Sequence, residues 1–148
     1  MTRLIPASLL TLAALASACM NSGRGTQSSA TAGPPADFGN AMVAEVKDAQ
    51  GQVVLRGNFA LNEETDDDVE RKATLAPTTA GAQSAGEAEI EVSRDGTPRS
   101  QEVEFSATGL QAGAAYTFVI DGKVFATVAA DSRGRASLER DVPLPTAP

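Results

Sequence analysis

The sequence predicts an all-β fold: an antiparallel β-sandwich or small barrel of about eight short strands after a flexible tether. Three observations lead there. Short alternating apolar runs recur roughly every 8–12 residues from Met42 onward. Asp-Gly pairs stand between such runs at Asp95-Gly96 and Asp121-Gly122, a strong short-range hairpin signal. No segment holds a convincing 3.6-residue apolar period.

Taken in order, Met42–Asp48 alternates and turns at Gln50-Gly51 into Val53–Asn62. There Val53, Leu55, Phe59 and Leu61 share a face, with Gly57 in phase as a bulge or crowding site. Glu63–Asp68 reads as a polar loop, and Val69–Pro77 as a strand with Val69, Ala73 and Leu75 in phase. A helix over Glu63–Leu75 would place its acids early and Arg71 and Lys72 late, as the macrodipole prefers. Its apolar positions are too few and too late, so loop then strand is the expectation. Thr78–Gly86 is poor in apolar side chains and reads as a mobile connector.

Glu87–Ser93 alternates strictly, with Ala88, Ile90 and Val92 on one face and Glu87, Glu89 and Glu91 on the other. A turn at Arg94–Pro98 leads to a strand with Val103, Phe105 and Ala107 in phase. Tyr116–Ile120 is apolar on both faces, as a central strand would be, and turns at Asp121-Gly122 into Lys123–Ala130. A last turn at Asp131–Gly134 precedes a final strand and an extended tail. The expected organisation is a leader over 1–18, a tether over 19–40, a β-domain over 41–143 and a tail over 144–148.

The leader rests on its layout. Arg3 is followed by an apolar run from Leu4 to Leu15 and the small residues Ala16, Ser17 and Ala18, the pattern of a secretory signal peptide. The run is too short to span a bilayer, which takes about 20 apolar residues. Cys19, the only cysteine, follows directly. Ala16-Ser17-Ala18-Cys19 resembles the lipobox of bacterial lipoproteins, with Leu15 one place further upstream than the leucine such proteins usually carry. The resemblance implies cleavage before Cys19, a diacylglycerol on its sulfur and an acylated amine. An ordinary A-x-A cut after Ala18 would instead leave a free terminal thiol. With no second cysteine for a disulfide and no histidine to activate a nucleophile, lipidation is the favoured use of this residue.

The expected location is therefore the cell envelope, with the membrane engaged through the anchor. Met20 stands after the cysteine where inner-membrane retention would use Asp, which in the lipoproteins this chain resembles fits the outer membrane. A soluble periplasmic or secreted protein is the alternative. The next residues, to about Asn40, are rich in Ser, Gly, Thr, Ala and Pro and read as a coil. About 20 such residues would let a domain stand roughly 20–30 Å away.

Composition narrows the function. The net charge is −7, or −8 once Arg3 leaves with the leader, which argues against nucleic acid as a partner. Histidine is absent, removing the commonest general base near neutral pH and the commonest metal ligand. Only five Phe and one Tyr represent the aromatics, too few for both a core and a stacking platform.

Three carboxylate sets are candidates for chemistry. Asp66-Asp67-Asp68, with Glu63 and Glu64, could offer oxygen ligands to Ca²⁺, but consecutive residues diverge and a solvated loop tip explains them. Asp131-Ser132-Arg133-Gly134-Arg135 could hold a cation or grip a carboxylate, and equally fits a β-turn capped by Asp with Gly at positive φ. Glu87, Glu89 and Glu91 beside Glu102 and Glu104 could act as acid and base in a cleft. A solvated sheet face is the plainer reading, its repulsion eased by Arg94, Arg99 and Lys123. No catalytic residue, metal ligand or cofactor is assigned.

The segment Gly109–Glu139, with its G-L-x-x-G-x-x-Y and D-x-x-G-x-A-x-L rhythm, is similar to many secreted β-domains without assigned activity. That resemblance supports the fold alone. The functional expectation is a lipid-anchored envelope β-domain with a non-catalytic binding, adhesion or structural role and a protein or envelope-polymer partner. A periplasmic module for a small ligand or Ca²⁺ is the alternative, and a carboxylate hydrolase ranks below it.

Overall fold

The computed structural model describes residues 36–95 and 99–145. The expected leader, Cys19, the expected tether as far as residue 35, residues 96–98 and residues 146–148 of the expected tail lie outside the described residues. Nine strands follow one another: β1 (Val43–Lys47), β2 (Val53–Asn58), β3 (Ala60–Glu64), β4 (Asp68–Pro77), β5 (Ala85–Ser93), β6 (Ser100–Thr108), β7 (Ala115–Ile120), β8 (Lys123–Ala129) and β9 (Ala136–Pro143). They join in the order β8-β7-β1-β2-β4-β5-β6-β9, every ladder antiparallel, with β3 pairing β4. The all-β expectation holds. The sheet is a nearly closed barrel whose two edge strands, β8 and β9, meet without a shared ladder.

Eight strands become nine because one run is broken. Val53–Asn62 reads as a single strand, yet Phe59 buries its ring in the core and donates its N–H to Met42 O at 2.9 Å. The chain bends there, so that β2 and β3 both lie along β4, β2 at its end and β3 at its start. Gly57 is a crowding site as expected: a Cβ there would run into the Thr74 carbonyl and the Leu75 side chain. The loop expected at Glu63–Asp68 is shorter, since Glu63 and Glu64 pair with β4 and Asp68 opens it.

Inward positions alternate along each strand: Val69, Ala73 and Leu75 on β4; Ala88, Ile90 and Val92 on β5; Val103, Phe105 and Ala107 on β6. Phe105 stacks on Phe118 with ring centroids 4.8 Å apart, joining the two halves of the barrel. β7 lies between β1 and β8 and is apolar on both faces, as expected. Val119 points away from the main core and is still only 1% exposed.

The connector at Thr78–Gly86 is a packed cap. It holds a 3-10 turn, Thr79–Gly81, and its last two residues already belong to β5. Gly81 lies so close to the Val54 carbonyl that no side chain fits, Thr78 N–H bonds Val54 O at 3.0 Å, and the Ser84 hydroxyl donates to Gly109 O at 3.1 Å. A hydrophobicity reading sees few apolar side chains here and misses a segment ordered through its backbone.

At the opposite end, residues 36–41 form a strap across the barrel mouth, so the domain's contacts reach back beyond the expected start at 41. Gln101, 1% exposed, accepts Phe38 N–H at 2.9 Å and donates to Ala36 O at 2.5 Å. Arg71 donates to Gly39 O at 2.5 Å, and the Phe38 ring meets Phe125 edge-on at 5.8 Å. The strap is thereby tied to β4, β6 and β8.

Candidate functional site: an acidic sheet face

Antiparallel register brings residues directly opposite one another onto the same face, with Cβ atoms about 4.5–5.5 Å apart. Across four consecutive ladders this aligns Glu63, Glu70, Glu91, Glu102 and Asp141, one from each of β3, β4, β5, β6 and β9. The neighbouring row runs Lys72, Glu89, Glu104 and Glu139. Glu87 lies in the row beyond, opposite Thr74 and Ser106. The first row lines a shallow groove of about 400 Å³ with Asp68, Ser93 and Ser100 beside it.

Electrostatics within the face are uneven. Lys72 reaches Glu70 at 2.6 Å and Glu89 at 3.2 Å. Its ammonium, with an Asn62 hydrogen bond second, holds the Glu70 carboxyl below the ordinary range. Glu70 and Glu89 in turn raise Lys72. Glu89 moves the other way, because burial outweighs the Lys72 hydrogen bond. Glu102 is also raised, first by burial and then by the charges of Glu139, Asp141, Glu91 and Glu104 around it. Carboxylate oxygens of Glu70, Glu89 and Glu91 lie within 4.8 Å of one another, a grouping that could hold a cation.

The residues singled out from sequence separate here. Glu89, Glu91, Glu102 and Glu104 do share one face, as expected. The expected counter-ions Arg94, Arg99 and Lys123 make no ion pair among the described residues, and Lys72 takes that part. Arg94 instead donates its backbone N–H to Asp67 O at 2.8 Å. Asp66 and Asp67 sit in a tight turn and Asp68 begins β4; the Thr65 hydroxyl, not an Asp, accepts the Asp68 and Asp67 N–H groups at 2.9 and 3.3 Å. These three acids do not converge.

Asp131 forms the expected turn: its Oδ1 accepts Arg133 N–H at 2.7 Å and Arg135 N–H at 2.9 Å, while Gly134 has φ +72°. Those backbone bonds, the Arg135 one foremost, hold its carboxyl low. Cys19 lies outside the described residues.

Glu63, Glu70, Glu139 and Asp141 join the face without a local signal in the sequence. Their partners lie in other strands, and only the assembled registers bring them together. No protein family, curated protein or solved structure matches this chain.

Proposed function

We propose that the protein is an exported, lipid-anchored β-domain of the cell envelope with a non-catalytic binding or structural role, held through Cys19. The observation that carries this reading is the strap. The chain enters the barrel at one end, and the entering segment is tied by Gln101, Arg71 and Phe125 to strands from both halves of the sheet. Such an attachment gives a tethered domain a defined proximal pole and leaves the acidic face and the opposite loops open to partners. The outer membrane is the location that Met20 favours. Radiolabelled palmitate incorporation tests the anchor: wild-type protein takes up label and partitions into detergent, and Cys19→Ser does neither. Equal aqueous partitioning of the two forms would contradict it.

A second reading is supported by the grouping of Glu70, Glu89 and Glu91, which makes Ca²⁺ a ligand of the acidic face. Lys72 already supplies a positive charge to that grouping, so Lys72→Gln should tighten Ca²⁺ binding. Thermal melts with millimolar Ca²⁺ and with EDTA decide it. A midpoint raised by Ca²⁺, and raised further in Lys72→Gln, supports the site; an unchanged midpoint in both removes it.

A further inference from the structure

The barrel end opposite the strap carries a second candidate surface, unlike the acidic face in chemistry. Four connections meet there: the hairpin tip at 48–52, the cap at 78–84, the loop at 109–114 and the turn at 130–135. Between the first three lies an open dish of about 590 Å³. Gln50, Gln83 and Gln111 stand exposed around it, with Ala82 also exposed at its side and the buried Gly81 and Leu110 beneath. Among the described residues none engages the side-chain amides of these three glutamines.

The dish is rigidly built. Tyr116, buried in its wall, accepts the Gln111 N–H at 3.0 Å through its hydroxyl. Asp48 Oδ1 accepts the N–H groups of Gln50 at 3.0 Å and Gln52 at 2.8 Å, so that carboxylate is committed to its own turn. Ser84 N–H bonds Gly81 O at 2.7 Å, Leu110 N–H bonds Gly134 O at 3.0 Å, and Gly113 N–H bonds Ala130 O at 2.9 Å. Loops fixed in this way lose little freedom when a ligand arrives.

The chemistry of the lining selects a class of ligand. It carries no Lys or Arg among the described residues to meet an anion, and its one carboxylate is engaged. Each free glutamine presents two N–H donors and one acceptor oxygen in a plane, a match for neighbouring hydroxyls or an acetamido group. Many main-chain N–H groups of these loops are spent within the fold, and the three glutamine amides are uncommitted side-chain donors at the rim.

We propose that this dish binds a neutral oligosaccharide, gripped by the amides of Gln50, Gln83 and Gln111. It goes beyond the anchored reading by naming a site and a ligand class, and the site lies at the pole away from the tether. At about 3.3 Å per residue, the nine-residue strand β5 puts the two poles roughly 30 Å apart.

The test is independent of the anchor. The full chain carrying Cys19→Ser, labelled with ¹⁵N, is titrated with tetra-N-acetylchitotetraose and with cellotetraose. Saturable shifts are expected at amides in 48–52, 78–84 and 109–116 with at least one sugar, insensitive to added salt. Gln83→Ala/Gln111→Ala should weaken the affinity about fivefold or more while leaving the melting temperature unchanged. Three results would overturn the proposal: no shifts with either sugar at about 10 mM, shifts confined to the acidic face, or full affinity in the double variant. Shifts of the same amides by trialanine with no response to either sugar would also overturn it, assigning the dish to peptides.

Discussion

Gln101 and Asp121 show how single polar side chains fix this barrel. Gln101 sits among inward-facing apolar residues of β6, and both ends of its amide are used by the strap. Gln101→Leu leaves the apolar packing in place and removes both bonds. It should cost about 1–2 kcal/mol in urea unfolding and abolish the hydrogen-exchange protection of the Phe38 amide; protection that survives would mean the strap is held by Phe38 packing alone. Asp121 adopts φ 47° in the two-residue turn between β7 and β8, with Gly122 at φ 77°. Its carboxylate also receives the N–H groups of Val43 at 2.8 Å and Met42 at 3.0 Å, capping the start of β1. Asp121→Ala forfeits both bonds and places an alanine in the left-handed region, a loss of about 2–3 kcal/mol. Asp121→Asn tolerates that backbone and keeps an acceptor, so it should cost less than half as much. At Gly81 the backbone of Val54 leaves no room for a Cβ, and Gly81→Ala should lower the melting temperature more than any exposed substitution in the cap.

The element that governs pH behaviour is the acidic sheet of β3, β4, β5, β6 and β9. A raised carboxyl such as Glu102 favours the folded state when protonated. Its contribution is complete below the ordinary glutamate range and is lost as pH rises through the raised value. Asp131 and Glu70, held low, contribute above the ordinary range and lose that contribution as pH falls through their lowered values. The melting temperature should therefore rise on mild acidification from neutral pH toward about pH 5 and fall again below about pH 4. Glu102→Gln should raise the neutral-pH midpoint, by the low end of the ~0.2–1 kcal/mol typical of cross-strand pairs, and flatten the acid-side rise. A variant less stable than wild type at pH 7 would contradict the account. Local sequence made much of this sheet legible. Strict alternation in Glu87–Ser93 and in the Val103–Ala107 strand announced which side chains face outward, β5 pairs antiparallel with β6 as expected, and Asp121-Gly122 makes the turn from β7 into β8. The full acidic row was not legible, because Asp141 joins it only through the β6–β9 register, which pairs segments some forty residues apart. The break at Phe59 and the packed cap at Thr78–Gly86 escaped for another reason: each is decided by tertiary backbone contacts that leave no period in the sequence.

For the whole molecule, the two poles and the acidic face give the domain a direction. The described chain begins at the strap, the neutral dish lies at the far end, and carboxylates cover one side between them. Exposed Met42 (62%) and Val124 (57%) lie toward the strap end, Met42 just before β1 and Val124 as the second residue of β8. That direction bears on function when the chain is attached at its start, so Cys19 is the residue on which the anchored reading depends. An ordinary cut after Ala18 and a lipoprotein cut leave the same first residue and differ in what it carries. Mass spectrometry of the N-terminal peptide from the purified mature protein distinguishes them directly. The account predicts a peptide beginning at Cys19 with a diacylglycerol on the sulfur and an acyl chain on the amine; a peptide beginning at Cys19 with a free thiol and a free amine would contradict it.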